Sequence, residues 1–397
     1  MNPPASPAES SARPKGATKP SAIIAVVLLA ALSLGLLALT ARTQATDRDF
    51  VSYWAGARLL ATHGNPYDSA SVLALENGIG NHFTRPLVLR NTPGTIFLMA
   101  PLGWFSYWNA AILWQAVLIL AALLSIWLLQ PFMGGKVPLI LYAFAPIVDC
   151  FLAGQTTILV LLGVCLFIRL QGRRPFWAGF ALLLCLLKPH LLALFWLVLL
   201  LEIVRRREPR IVLGAVCSVA LASAIATALD PHIWSQYLVS VRAEHIEDQY
   251  FPNLSVALRI LIAKNSLWPQ LLPTILGLPL AFWFWIRNRV HWQWPRQGAM
   301  LIAASALLSP YSFLVDQVLF LPAVYFCYPL ASRLERMLFI SINVAAFVLM
   351  LKIPEMSSPV TIWVAPAMML WCWWIYRRQT ADVASQPHPA SQALAAS

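Results

Sequence analysis

Apolar stretches recur along this chain from residue 21 to residue 376 with short interruptions, and that repetition limits the fold more than any other feature. A helix that crosses a bilayer needs about 20 apolar residues, because each adds about 1.5 Å against roughly 30 Å of hydrocarbon. Only 11% of the residues are charged and 59% are hydrophobic. A soluble domain carries about 25% charged residues, so no water-facing surface can be built around so much apolar sequence. The chain reads as one all-α integral membrane domain, not as the two or three soluble domains its 397 residues would otherwise suggest.

The net charge is +12, but its placement argues against a nucleic-acid partner. Arg173 and Arg174, Arg205 to Arg207 with Arg210, Arg287 and Arg289, Arg333 and Arg336, and Arg377 and Arg378 sit in short clusters between apolar runs. That is the positive-inside pattern of cytoplasmic loops. The six cysteines lie in or beside apolar runs without CxxC or metal spacing, so they read as small hydrophobes, not as a disulfide framework.

Residues 1–20, rich in Pro, Ala and Ser, read as a disordered cytoplasmic tail, and 21–40 as an uncleaved first helix too long for a signal-peptide core. The membrane domain covers 21–377, and 378–397 form a second cytoplasmic tail. Further spans fall near 107–129, 137–152, 156–170, 175–188, 190–204, 211–229, 267–286, 298–309, 315–331, 337–351 and 360–376, about 12 in all, with a cytoplasmic turn at Gly134-Gly135-Lys136. Two polar loops, about 41–93 and 230–253, face the other side, and 254–263 reads as a short interfacial helix. The runs 137–152, 175–188 and 298–309 are too short to cross alone. Short helices at membrane depth need protein or a water-filled cavity around their backbone, so a cavity is expected, opening outside the cytoplasm.

Ionisable groups near hydrocarbon are costly and usually face a cavity or a partner. The segment Asp47-Arg48-Asp49-Phe50-Val51-Ser52-Tyr53-Trp54-Ala55-Gly56-Ala57-Arg58, ending in Gly64-Asn65-Pro66-Tyr67-Asp68, opens just outside the first helix. From 50 to 63 it reads as an amphipathic helix stopped by the Gly-Asn-Pro-Tyr turn. Asp49 at its start serves equally as cap or as reactive carboxylate. Asp149 with Gly154 and Gln155, Lys188-Pro189-His190, and Ser309-Pro310-Tyr311 with Asp316 fall in later turns on the same face. Each has a bland reading: Gln155 as a helix start, Lys188 as a snorkelling lysine, Asp316 as a cap. The charged stretch 242–248 reads as a solvated loop helix or, less simply, as the lining of an acceptor entrance.

Together these groups suit transfer of a sugar from a lipid phosphate. One carboxylate takes the proton of an acceptor hydroxyl, and cations stabilise the charge on the departing phosphate. An inverting displacement needs one base, not the paired carboxylates of a hydrolase. No Walker or Rossmann glycine motif is visible. The Asp-x-Asp at Asp47 and Asp49 would hold a metal for a diphosphate donor; with one phosphate on the donor no metal or other cofactor is expected.

At Asp49-Phe50-Val51-Ser52-Tyr53-Trp54-Ala55-Gly56-Ala57-Arg58 and Gly64-Asn65-Pro66-Tyr67-Asp68, the chain resembles the bacterial glycosyltransferase family 87. Weaker matches follow at Pro93, Pro101-Leu102, Gly154-Gln155, Lys188-Pro189-His190 and Ser309-Pro310-Tyr311 with Asp316. The resemblance implies a GT-C-like membrane bundle with extracytoplasmic loop helices in the bacterial inner membrane, and a polyprenyl-phosphate-linked sugar, of mannosyl type, as donor. It implies a glycan or glycolipid acceptor, Asp49 as general base with Asp47 a second candidate, and Lys188 and His190 near the donor phosphate. Arg58 either joins them or pairs with Asp68. Asp47, Tyr53, Trp54, Gln155, Tyr311 and Asp316 would then contact substrate. A transporter or flippase of a lipid-linked sugar is the competing reading, since broken helices also mark transporters.

Overall fold

The computed structural model describes residues 48–87, 89–133, 138–243, 250–352 and 358–385. The expected first span, Asp47, Lys136 and most of the charged stretch at 242–248 lie outside the described residues. Every regular element among the described residues is helical. The α-helices longer than one turn among the described residues are α1 Arg48–Ala61, α2 Ser69–Gly78, α3 Tyr107–Leu129, α4 Ala145–Ala153, α5 Thr157–Leu170, α6 Pro175–Ala181, α7 Ala193–Arg206, α8 Pro209–Leu229, α9 Ile233–Ala243, α10 Leu254–Ile262, α11 Trp268–Asn288, α12 Ala299–Leu307, α13 Leu321–Cys327, α14 Arg333–Lys352 and α15 Val364–Ser385.

Among the described residues, five helical stretches are long and apolar enough to cross a membrane: Tyr107–Phe132, Pro209–Leu229, Trp268–His291, Arg333–Lys352 and Pro359–Thr380. Their outward faces carry Val212, Leu213, Val216 and Leu221 on α8, and Ile275, Leu276, Leu280 and Trp283 on α11, all exposed. Such continuous apolar bands fit hydrocarbon and not water. The other apolar helices among the described residues are shorter than one crossing. The run expected at 137–152 is a single 3-10 turn followed by nine-residue α4. That at 175–188 is α6 continued by a 3-10 segment, Leu182–Leu187. That at 315–331 is broken into Leu314–Phe320, α13 and Tyr328–Leu330.

Small residues set the closest packing. A Cβ on Gly179 would lie 1.9 Å from the Ile211 carbonyl oxygen, and one on Gly214 1.9 Å from that of Phe176. α6 and α8 therefore touch backbone to backbone, as small residues permit in membranes. The core gathers around α3, α5, α12 and α13, with Trp114, Leu118, Phe167, Phe195, Val324 and Tyr325 among its buried members. Against one end of this core lie α1, α2 and α9, which bring the polar loops over the short central helices.

Candidate active site

The helix that opens the described chain is pinned to the core by its own motif. Phe50, Val51, Ala55 and Ala57 are fully buried along one side of α1. Trp54 Nε1 donates to the Phe105 carbonyl at 3.1 Å, and Arg58 Nη1 to the Gly103 carbonyl at 2.9 Å. A Cβ on Gly103 would lie 2.1 Å from the Ala57 carbonyl oxygen, so only glycine admits this approach. Gly154 closes α4 in the left-handed conformation at φ +66°, and its added Cβ would meet the Phe50 Cβ at 2.5 Å. Trp114 Nε1 donates to the Gly154 carbonyl at 2.7 Å. These contacts fix the first turn of α1, and with it Asp49, whose negative charge is favoured near the helix N-terminus.

Asp49, Tyr53, Gln155, Lys188, His190, Tyr311 and Asp316 all line one cavity of about 560 Å³. Six segments far apart in sequence meet there: α1, the loop before Pro93, the α4–α5 turn, the turn before α7, the α9–α10 region and the turn after α12. Tyr53 donates to Gln155 Oε1 at 3.3 Å. Behind the wall the buried Cys150 thiol lies within electrostatic reach of Asp49, Asp149, Lys188 and Asp316, so these charges share one neighbourhood.

Lys188 is held by an ion pair. Its ammonium lies 2.7 Å from Asp316 Oδ1, with 15% of its side chain exposed against 2% for Asp316. Thr157 Oγ1 donates to the same oxygen at 2.7 Å, and the Phe313 amide donates to Oδ2 at 2.9 Å. Both oxygens of Asp316 are thus engaged by protein, and Lys188 itself lines the cavity. An ion pair in apolar surroundings holds its geometry only when further hydrogen bonds satisfy the carboxylate, and Thr157 and Phe313 supply them. Asp316 is also the third residue of the 3-10 segment Leu314–Phe320 and caps its start through the Phe313 amide, so the cap reading and the site reading describe one residue.

Arg58 and Trp54 are not part of the cavity wall; their polar atoms anchor α1 to backbone carbonyls instead. Asp68 caps α2 by accepting from the Ser71 amide at 2.8 Å. His190 stacks on Tyr311 with ring centroids 3.8 Å apart. Burial in this turn pushes its imidazolium down to about 3, which leaves the ring neutral at ordinary pH.

The wall also contains residues that the sequence did not single out: Arg90, Asn91, Thr92, Tyr237 and Phe251. Arg90 adds a second cation. Tyr67 donates to the Asn91 carbonyl at 2.8 Å and packs on Tyr237 with centroids 5.3 Å apart, so the Gly-Asn-Pro-Tyr turn works through this rim. The one available signal for Arg90 was an isolated arginine in a polar loop, a pattern shared with any solvated residue.

The cavity thus brings the Asp49 carboxylate of α1 together with two cations, Arg90 from a loop and Lys188 from a turn, among apolar helices. The sequence model of glycosyltransferase family 87 matches residues 90–315. No curated protein and no solved structure matches the chain. The match covers more than half of the chain and includes Arg90, Gln155, Lys188, His190 and Tyr311, so the protein belongs to glycosyltransferase family 87 and is a membrane glycosyltransferase.

Proposed function

We propose that the protein transfers a hexose, of mannosyl type, from a polyprenyl-phosphate donor to a hydroxyl of a glycan or glycolipid outside the cytoplasm. In this reading the chain is a GT-C-like bundle of about 12 spans in a bacterial plasma membrane, with both termini in the cytoplasm. The observation that carries it is the shared cavity: Asp49 and the Lys188–Asp316 pair, 128 residues apart within that pair, face the same space.

Asp49 takes the proton from the acceptor hydroxyl as its oxygen bonds to the anomeric carbon of the donor. The bond between that carbon and the phosphate oxygen breaks, and its electron pair leaves with the polyprenyl phosphate. Attack from the face opposite the leaving group inverts the anomeric centre. The negative charge lost by Asp49 reappears on the phosphate, where Lys188 and Arg90 stabilise it. Asp316 and Thr157 keep the Lys188 ammonium in place during this shift. Tyr53, Gln155 and Tyr311 face the sugars.

The test is transfer of radiolabelled mannose from polyprenyl-phosphate-mannose in vesicles carrying the purified protein and membrane glycolipids. Wild type transfers label, and Asp49→Asn lowers the rate by about 10²- to 10⁴-fold. Full activity in that variant would remove Asp49 from the base role. Lipid movement across the vesicle without covalent product would replace the whole reading with a flippase.

A further inference from the structure

His190 lies two residues beyond Lys188, in the 3-10 turn Pro189–Leu192 that leads into α7. Its Nε2 is buried and has no hydrogen-bond partner among the described residues. Buried polar atoms are nearly always paired, and each exception calls for a reason. The ring lies among the charges of Asp316, Lys188 and Arg90 and is neutral. A neutral imidazole has one donor and one acceptor nitrogen. It adds no positive charge for a phosphate but matches a hydroxyl, which also donates and accepts.

The surroundings of the ring fit a sugar. Tyr311, stacked on His190, packs on Phe251 with centroids 5.3 Å apart, and Phe251 packs on Phe313 at 4.9 Å. All four side chains line the cavity. They make an aromatic wall with one buried polar atom set in it, the combination that holds the C–H face of a pyranose while reading one of its hydroxyls.

We propose that His190 hydrogen-bonds a hydroxyl of the donor's hexose ring and thereby sets which hexose the cavity accepts. This rests on the polyprenyl-phosphate reading above. In such a donor the hexose is bonded directly to the phosphate, so the sugar lies next to the cations that face that phosphate, and His190 is beside them. A hydroxyl in the wrong orientation leaves Nε2 unpaired, and that penalty discriminates epimers.

Binding separates the sugar from the phosphate. The full-length protein in lipid nanodiscs is titrated with polyprenyl-phosphate-mannose, polyprenyl-phosphate-glucose and bare polyprenyl phosphate. His190→Phe keeps a ring against Tyr311 and removes the nitrogens, whereas His190→Gln keeps a hydrogen-bonding group. His190→Phe is expected to weaken the preferred sugar lipid about 5- to 30-fold, to erase the preference between the two hexoses and to leave bare polyprenyl phosphate unchanged. His190→Gln retains most of the affinity. Thermal unfolding of both variants matches wild type. Equal losses for sugar-bearing and bare lipids would assign His190 to the phosphate and overturn the proposal, and so would unchanged binding of all three lipids. Either result leaves the donor class standing. Wild type that binds none of the lipids removes the donor class itself and this assignment with it.

Discussion

Two buried carboxylates lie near opposite ends of α7, and they are handled differently. Asp316 meets Lys188, which precedes the helix, and Glu202 sits in its last turns. Glu202 accepts two hydrogen bonds from Arg205 at 2.8 Å, one from Arg206 and one from Trp285 Nε1 at 2.7 Å. Arg206 goes on to the Trp292 carbonyl at 2.9 Å. The side chains of Arg205 and Arg206 remain 33% and 36% exposed, against 15% for Lys188. One end is a clasp tying α7 to α11 with cations that still reach solvent. The other holds Lys188, which lines the cavity. A buried acid therefore braces the fold in one place and, on the proposed reading, orients a catalytic cation in the other.

The largest difference is expected from Lys188→Met. It strands the Asp316 carboxylate and costs about 3–5 kcal/mol of stability, and it lowers hexose transfer about 10²- to 10³-fold. Thermal unfolding in detergent and the vesicle assay read the two effects. Lys188→Met combined with Asp316→Asn should regain most of the stability and none of the transfer. A double variant with wild-type transfer would make the pair purely structural.

Glu202→Gln should cost less, about 1–3 kcal/mol, because Arg205 and Arg206 can turn to water. Transfer per folded molecule should stay within about threefold of wild type, a margin under 1 kcal/mol. A large loss of transfer without unfolding would abolish the distinction between the two ends.

Two left-handed helix ends give a finer comparison. Gly154 sits at φ +66° against Phe50, and Arg207 sits at φ +55° after α7. Gly154→Ala brings the left-handed cost of about 1–2 kcal/mol together with a clash against Phe50, and should reduce transfer by moving Asp49. Arg207→Gly removes such strain and should raise the melting temperature slightly with transfer unchanged.

Glu76 is a third buried carboxylate, fully covered on α2, and its two oxygens each lie 3.2 Å from the Leu87 amide. Burial raises its pKa from 4.5 to about 7. Because the folded-state value is raised, its contribution is fully present below pH 4.5 and is lost as pH rises through about 7. Local stability of the 69–92 segment should fall by up to about 1.4 kcal/mol per pH unit in that window. Hydrogen exchange at Leu87 measures this, and Glu76→Gln should flatten the profile. An identical slope in the variant would assign the dependence to another group.

The helix expected over 50–63 is observed as Arg48–Ala61 because both of its signals are local. The apolar stripe faces the core, and the chain turns at His63, where Gly64 N returns to the Leu59 carbonyl at 2.8 Å. The breaks at Leu182–Leu187 and Leu314–Phe320 had no comparable signal. An apolar run inside a membrane domain is hydrophobic all round, so its periodicity carries little about where a helix tightens or stops. The pairing of Lys188 with Asp316 was equally hidden, since nothing local links residues 128 positions apart. Arg90, Tyr237 and Phe251 reach the cavity only because tertiary packing carries their loops there.

The Tyr67–Asn91 and Glu76–Leu87 hydrogen bonds fasten two points of one surface strap, while His82, Thr84 and Arg85 between α2 and Leu87 stay exposed. Length changes near 82–85 would bulge into solvent, whereas a one-residue insertion at 89–91 would shift Arg90, Asn91 and Thr92 out of register with the cavity. A fluorophore on a cysteine placed at Thr84 would therefore report rim movement during turnover while leaving both fastenings whole.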